Sequence, residues 1–263
     1  MFCENCGKKL PVSKVCPDCG VKEVPSKEKN VLKIFLMTLM MIGGVVIIPS
    51  IIQVIFIVIG IFENGIDLKN PLASVNANLM VISMVITPII VTIFLLIYKR
   101  KELKDKVKDF FTKFGKNILY VIVGVTVMYI LNLVVGFIMI LLGEINTISD
   151  NQALLENIFK SIAGFYYILY IVDIVFLTPV FEEYLCRYIF KKHFKKGIWF
   201  IIFTSIAFGL LHCPPTSLIN LINFTQYTLM GAILAFTYYK TDNILSSMLI
   251  HIINNGIAIL FMI

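Results

Sequence analysis

The sequence predicts an all-α, polytopic transmembrane bundle of about seven or eight spans. Hydrophobic residues make up 59% of the 263-residue chain, charged residues make up 15%, and the mean hydropathy is +0.90. A soluble domain has about 45–50% apolar and about 25% charged residues. Uncharged stretches of at least the roughly 20 residues that a transmembrane helix needs also recur along the chain. These observations exclude a water-soluble globule, a disordered chain and a disulfide scaffold.

The hydrophobic segments predict seven helices, each bounded by charged or turn-forming residues. Pro49 lies inside the long first segment, so a division of this segment would give eight spans. Cys213-Pro214-Pro215 divides the longest uncharged stretch into two spans. The predicted helices are 33–62, 79–98, 118–142, 162–190, 198–213, 217–239 and 243–262.

The positive charges predict that the N-terminus is cytoplasmic in a multi-pass cell-membrane protein. The formal net charge is +7, and 20 of the 23 lysines and arginines fall in four segments on one side of this topology: 1–33, 99–117, 191–197 and 240–242. The positive net charge therefore reflects the membrane topology, and we expect no nucleic-acid partner. Residues 99–116 are interpreted either as a basic amphipathic segment lying on anionic lipid or as a simple topology-setting loop.

Four cysteines near the N-terminus predict a structural zinc site. Cys3 and Cys6 form one CxxC pair, Cys16 and Cys19 form another, and a glycine follows each pair. Two such pairs match a tetrahedral four-thiolate zinc ribbon, which we assign to residues 1–22, followed by a linker at 23–33. Disulfides are the alternative, and a cytoplasmic location disfavours them. The ribbon could recruit a protein partner, a hypothesis that rests only on its position.

Ionisable residues cluster in three predicted spans, where their burial in lipid is costly and usually functional. The groups are Glu182-Glu183-x-x-x-Arg187, Phe208-x-x-x-His212 and His251-x-x-x-Asn255, which contain two of the three histidines in the chain. Asp173 lies nine residues before Glu182; we interpret it as a buried hydrogen-bonding residue, with a second cavity carboxylate as the alternative.

Helical spacing assigns different environments to the two glutamates. Glu183 and Arg187 are four residues apart and can form an ion pair, whereas Glu182 is rotated away without that partner and is suited to proton transfer. Counted from the turn near Lys195, Glu182 and His212 lie at depths that differ by roughly 6 Å. We therefore expect the polar side chains to converge on one hydrated cavity that opens toward the cytoplasm.

These three motifs resemble those of the CAAX-protease and bacteriocin-processing (CPBP, Abi) family of intramembrane endopeptidases, over roughly residues 120–262. The resemblance implies hydrolysis of a peptide bond in a membrane-associated peptide or protein. Glu182 would activate water with help from His212, and His251 and Asn255 would stabilise the oxyanion. Glu183 and Arg187 would form a structural pair, with Phe208 as a supporting residue. One departure is Cys186, where the family commonly has an aromatic or aliphatic residue.

Two chemistries and a non-enzymatic function stay open at this point. We favour a metal-free glutamate mechanism, without a catalytic metal; the alternative binds zinc through His212, His251 and a glutamate. A non-catalytic membrane immunity or binding protein could use the same cavity, and a transporter is a third option. After the ribbon and the linker, we predict two further regions. Residues 34–117 form N-terminal spans and a basic loop, and residues 118–263 form a protease core.

Overall fold

The computed structural model describes residues 77–144, 149–191, 193–194 and 197–261, together with isolated positions 36, 47, 51, 52, 54, 55 and 58. The chain divides into two compact units, Met1–Leu39 and Met40–Ile263, and the helices below belong to the second. The predicted zinc ribbon and linker lie outside the described residues, as does most of the first predicted span.

Every regular element in the described ranges is helical, which confirms the predicted helical membrane bundle. Four helices are long and apolar enough to cross a bilayer, α1, α3, α5 and α7, and two shorter apolar helices, α6 and α8, have 16 and 17 residues. The helices are α1 Ala77–Tyr98, α2 Arg100–Thr112, α3 Phe114–Leu141, α4 Asp150–Ser161, α5 Phe165–Lys191, α6 Gly197–His212, α7 Leu218–Thr241 and α8 Ile244–Leu260.

Two differences from the sequence prediction concern the polar connections. Residues between α3 and α5 form the short helix α4, which the search for apolar spans missed because α4 is not apolar; the Ser149 side chain caps it by accepting from the Gln152 backbone N–H. The predicted fourth span begins three residues late, at Phe165, since Gly164 has φ +61° and interrupts the helix before it.

Small residues bring α6 and α7 into close contact. A Cβ atom added at Gly231 of α7 would lie 3.0 Å from Phe208 Cβ and 3.1 Å from Ser205 Cα on α6, which is closer than ordinary packing allows. Membrane helices lack a hydrophobic driving force toward one another, and such small residues permit the close packing that holds them together. This contact fixes the position of Phe208, which lies beneath the polar site described below.

Helix α5 contains two π-helical segments, Asp173–Leu177 and Tyr184–Tyr188, where the sequence predicted one regular helix. In the first segment the Thr178 backbone N–H donates to the Asp173 carbonyl, five residues back. The next donor in that pattern would be residue 179, a proline without an N–H. Each π segment inserts an extra residue into the helix and rotates the face presented by everything that follows.

A hydrogen-bonded network joins α2 to the start of α8 at one end of the bundle. Asn243 caps α8 by accepting from the Leu245 N–H, and its amide nitrogen donates to the Lys106 carbonyl (2.8 Å) and to Asp109 Oδ2 (3.1 Å). Two ion pairs complete this basic-end network, which comprises Lys106, Asp109, Lys113, Lys191, Asp242 and Asn243.

Candidate functional site

One carboxylate and two imidazoles from three helices meet in the middle of the bundle. Glu182 Oε2 on α5 lies 3.7 Å from His212 Nε2 on α6 and 3.8 Å from His251 Nε2 on α8. Both distances are too long for direct hydrogen bonds. Glu182 Oε2 is buried and accepts no hydrogen bond from any described residue. The structure thus brings together three of the four side chains that the sequence analysis singled out.

The other ring nitrogen of each histidine determines which tautomer the ring adopts. His212 Nδ1 lies 2.8 Å from the Phe208 carbonyl oxygen, and a carbonyl can only accept, so Nδ1 carries the proton. His251 Nδ1 lies 3.3 Å from Glu183 Oε1 and donates to that carboxylate. In their neutral forms both rings therefore direct an Nε2 lone pair toward Glu182.

Glu183 and Arg187 form the ion pair that their spacing predicts, and both side chains are fully buried. Arg187 Nη1 lies 2.8 Å from Glu183 Oε1, and the guanidinium carbon lies 4.3 Å from the centroid of the Phe208 ring. The same Glu183 oxygen accepts from His251 Nδ1. Glu183 therefore orients an imidazole of the site while a cation balances its charge.

Aromatic rings hold His212 from both sides. Phe208 lies on one side with ring centroids 4.1 Å apart, and Tyr227 stacks on the imidazole at 4.9 Å with an interplanar angle of 26°. Phe208 also meets His251 edge-on at 5.7 Å. The sequence analysis identified Phe208 but missed Tyr227. A usable signal in the sequence is its position next to Gln226, a polar residue in the sixth predicted span.

The site forms part of a cavity of about 780 Å³ that is lined by α1 and by α3 through α8. This volume lies within the range of small-molecule and peptide-side-chain sites. The lining residues on α8 run from His251 to Ile259 and continue to its C-cap, Phe261, and Asn151, Gln152 and Leu155 of α4 line the cavity too. The cavity therefore extends from mid-bundle toward the end opposite the basic-end network. The expectation that the cavity opens toward the cytoplasm stays a prediction.

Comparison with known proteins identifies the part of the chain that carries this site. Residues 164–257 match the family model described as Rce1-like, type II CAAX prenyl endopeptidase. This region belongs to the CPBP family. No curated protein and no solved structure matches the chain. The resemblance inferred from the three motifs is confirmed for the Rce1-like region, residues 164–257.

Asn255 lies in the cavity of the Rce1-like region, one helical turn beyond His251, but it contacts a different part of α5. Its amide nitrogen donates to the Ile174 carbonyl at 2.9 Å. That carbonyl loses its helical donor because residue 179 is proline and Thr178 bonds to Asp173 instead. Asn255 thus satisfies a carbonyl left unpaired by the π segment, and one N–H of its amide group stays available to a ligand.

Further polar side chains of the Rce1-like region line or flank the cavity. Asp173 is 1% exposed, lines the cavity and accepts from the Thr178 hydroxyl at 3.3 Å, so both interpretations offered for it hold. Gln226 lines the cavity and donates to Asn132 Oδ1 on α3 at 2.8 Å, which joins α7 to α3. Gln226 therefore both lines the cavity and holds two helices together.

Glu182, His212 and His251 are side-chain types that zinc accepts as ligands. Across residues 77–144, 149–191, 193–194 and 197–261, however, no group of three or more histidine, cysteine, aspartate and glutamate side chains has the spacing of a metal site. The cysteines predicted to bind structural zinc, Cys3, Cys6, Cys16 and Cys19, lie outside these ranges.

Proposed function

We propose that the chain is an intramembrane endopeptidase in which Glu182 activates water to hydrolyse a peptide bond. One observation carries this proposal: Glu182 Oε2 is buried without a hydrogen-bond donor among the described residues, and two Nε2 atoms face it at 3.7 and 3.8 Å. Within the protein interior such a carboxylate is a strong acceptor for a proton of water. Membership of the Rce1-like family supports the same reaction class.

In the first step, water held by Glu182 and His212 attacks the carbonyl carbon of the peptide bond. One proton of the water passes to Glu182 as the new C–O bond forms and the carbonyl becomes an oxyanion. The same proton then moves from Glu182 to the amide nitrogen while the C–N bond breaks. Glu182 returns to its carboxylate form, and the products are one carboxylic acid and one amine.

The oxyanion of this mechanism is stabilised by His251 and Asn255. Glu183 accepts the Nδ1 proton of His251 and thereby fixes the ring; in the imidazolium form of His251, Nε2 is protonated as well and would donate to the oxyanion. Asn255 would contribute the N–H that Ile174 leaves free. Because the Asn255 contact lies one turn away, we assign the larger share of oxyanion stabilisation to His251.

The substrate of this proposal is a peptide or protein held in or at the membrane. Four described helices are long and apolar enough to cross a bilayer, so the cavity is reached most readily by a membrane-associated chain. The family description names a type II CAAX prenyl endopeptidase. A prenylated CAAX peptide is therefore the first probe, and an unprenylated membrane peptide is the second.

Replacement of Glu182 by glutamine tests the assignment. The isosteric amide cannot take the proton of water, and we expect cleavage of the probe to fall at least about a thousandfold with no change in thermal unfolding. Asp105→Asn is the matched control, since Asp105 is an exposed carboxylate of α2. Full cleavage by Glu182→Gln would overturn the proposal, while tight binding without cleavage by the unaltered protein would favour the non-catalytic alternative.

We infer further that the N-terminal cysteines bind one structural zinc and that the cavity chemistry needs no metal. Cys3, Cys6, Cys16 and Cys19 form a closed four-thiolate set, which leaves no open position for catalysis. Zinc analysis of the full chain should give one zinc per chain, and a variant with all four cysteines replaced by serine should give none. If that variant loses activity to a chelator and regains it with zinc, the metal alternative is correct.

A further inference from the structure

Asp173 is a buried carboxylate to which the proposed reaction assigns no role. Its side chain is 1% exposed, lines the cavity and accepts one hydrogen bond, from Thr178 to Oδ1. The other oxygen, Oδ2, is buried and accepts no hydrogen bond from any described residue. An unpartnered acceptor in the membrane interior costs free energy, and a ligand that donates a hydrogen bond to Oδ2 would recover this cost.

The charges that line the cavity are unbalanced. Its lining includes two carboxylates, Asp173 and Glu182, and neither lysine nor arginine among the described residues; its two histidines both face Glu182. Arg187, the cation of the neighbouring motif, is paired with Glu183 instead. In an interior of low dielectric constant, such a cavity attracts a positively charged group far more strongly than an exposed carboxylate does.

The π segment of α5 brings the two carboxylates to the same cavity. Nine residues of a regular α-helix make about two and a half turns and would place Asp173 and Glu182 on opposite faces. The extra residue inserted at Asp173–Leu177 rotates Glu182 around the helix axis relative to Asp173. As a result, Asp173 and Glu182 both line the cavity. Because the inserted residue adds little to the length of the helix, they are about 12 Å apart along its axis, which an extended peptide spans with about four residues.

We propose that Asp173 forms a subsite that binds a lysine or arginine side chain of the substrate, about four residues from the bond that Glu182 would hydrolyse. The position of that bond rests on the proposed function, whereas the cationic subsite does not. Helix α1 packs against this segment, and its Thr87 also lines the cavity with a buried Oγ1 that has no partner in the described structure. Met84 and Pro88 of the same helix line the cavity and offer apolar surface to the methylene groups of the substrate's basic side chain.

Binding of two matched peptides tests the subsite without hydrolysis. The probes are an apolar fluorescent peptide with one central lysine and the same peptide with norleucine in that position. They are titrated onto the full chain in phosphatidylcholine nanodiscs, with Glu182→Gln present to prevent cleavage and empty nanodiscs as the baseline. We expect the lysine peptide to bind at least about tenfold more tightly than the norleucine peptide.

Adding Asp173→Asn should reduce this preference to within about twofold. The asparagine keeps an acceptor for Thr178, so the helix should stay intact, and an unchanged unfolding temperature checks this. Adding Asp105→Asn instead should leave the preference unchanged. Equal affinity of the two peptides in the Glu182→Gln protein, or a lysine preference that survives Asp173→Asn, would overturn the proposal.

Mapping of cleavage sites then separates this inference from the proposed function. Mass spectrometry of peptides cut by the unaltered protein should place a basic residue about four residues from the cut, and this preference should be absent from the peptides that Asp173→Asn cuts. If the basic residue lay at no fixed distance from the cleaved bond, the proposed four-residue spacing between the subsite and that bond would be wrong. If no peptide is cut but the lysine preference in binding depends on Asp173, the subsite stands and the protease proposal fails.

Discussion

The molecule holds two clusters of ionisable side chains that differ in how their charges are balanced. In the basic-end network each carboxylate has a lysine beside it: Asp109 pairs with Lys113 and Asp242 with Lys191. In the membrane-buried cluster Glu183 pairs with Arg187, whereas Glu182 faces two imidazoles and, among the described residues, neither it nor Asp173 has a lysine or arginine beside it in the cavity lining.

This difference in charge balance distinguishes carboxylates with a structural role from carboxylates with a functional role. A carboxylate that pairs with a lysine at a solvent-exposed helix end loses little solvation free energy, and the pair contributes little to stability. A carboxylate left unpaired in the membrane interior is costly and persists where it does chemistry or binds a ligand. By this criterion Glu182 and Asp173 are the functional carboxylates of the bundle, and Glu183 is the one that supports them.

The largest effect on stability should follow from removal of the buried cation. Arg187→Met leaves the Glu183 carboxylate without a counter-charge, and we expect a loss of about 3–5 kcal/mol in equilibrium unfolding in mixed micelles. The double variant Glu183→Gln/Arg187→Met removes both charges and should recover part of this loss. If Arg187→Met were as stable as the unaltered protein, Arg187 would not be the group that balances the negative charge of Glu183.

A smaller effect is expected at the junction of α2 and α8. Asn243→Ala removes the cap of α8 and both hydrogen bonds to α2, and unfolding should become easier by about 1–2 kcal/mol. Asn243→Ser keeps an acceptor for the Leu245 N–H and should recover about half of the loss. Activity should be unchanged once the protein is folded; a large loss of kcat would show that the two clusters are coupled.

The smallest effect should come from the exposed pair of Asp109 and Lys113. Hydrogen bonds from Lys113 and then Asn243 hold the pKa of Asp109 below its usual range. The stabilisation from this pair is therefore present at neutral pH and is lost as the pH falls through that lowered pKa. Lys113→Gln should lower the unfolding temperature less than Asn243→Ala does. The difference in unfolding temperature between Lys113→Gln and the unaltered protein should shrink in high salt and at acid pH. If this difference does not depend on pH, it arises from packing rather than from the ion pair.

Much of the site was predictable from helical spacing. The four-residue interval from Glu183 to Arg187 predicts their ion pair, and the depth argument predicts that Glu182 meets His212. Spacing could not reveal that the Glu183 carboxylate also holds His251, because that contact joins residues 68 positions apart. It also could not place Asn255, whose partner is a carbonyl released by an irregular turn of α5.

Composition and charge pattern by themselves determined that this chain is a helical membrane bundle and which segments are apolar, because lipid requires long uncharged helices whatever their neighbours are. The three motifs likewise predicted the family. Only the tertiary structure decided where the cavity runs and that Asp173 reaches it. A π segment rotates one helix face against another, and that rotation depends on contacts between helices, which no local pattern in the sequence records.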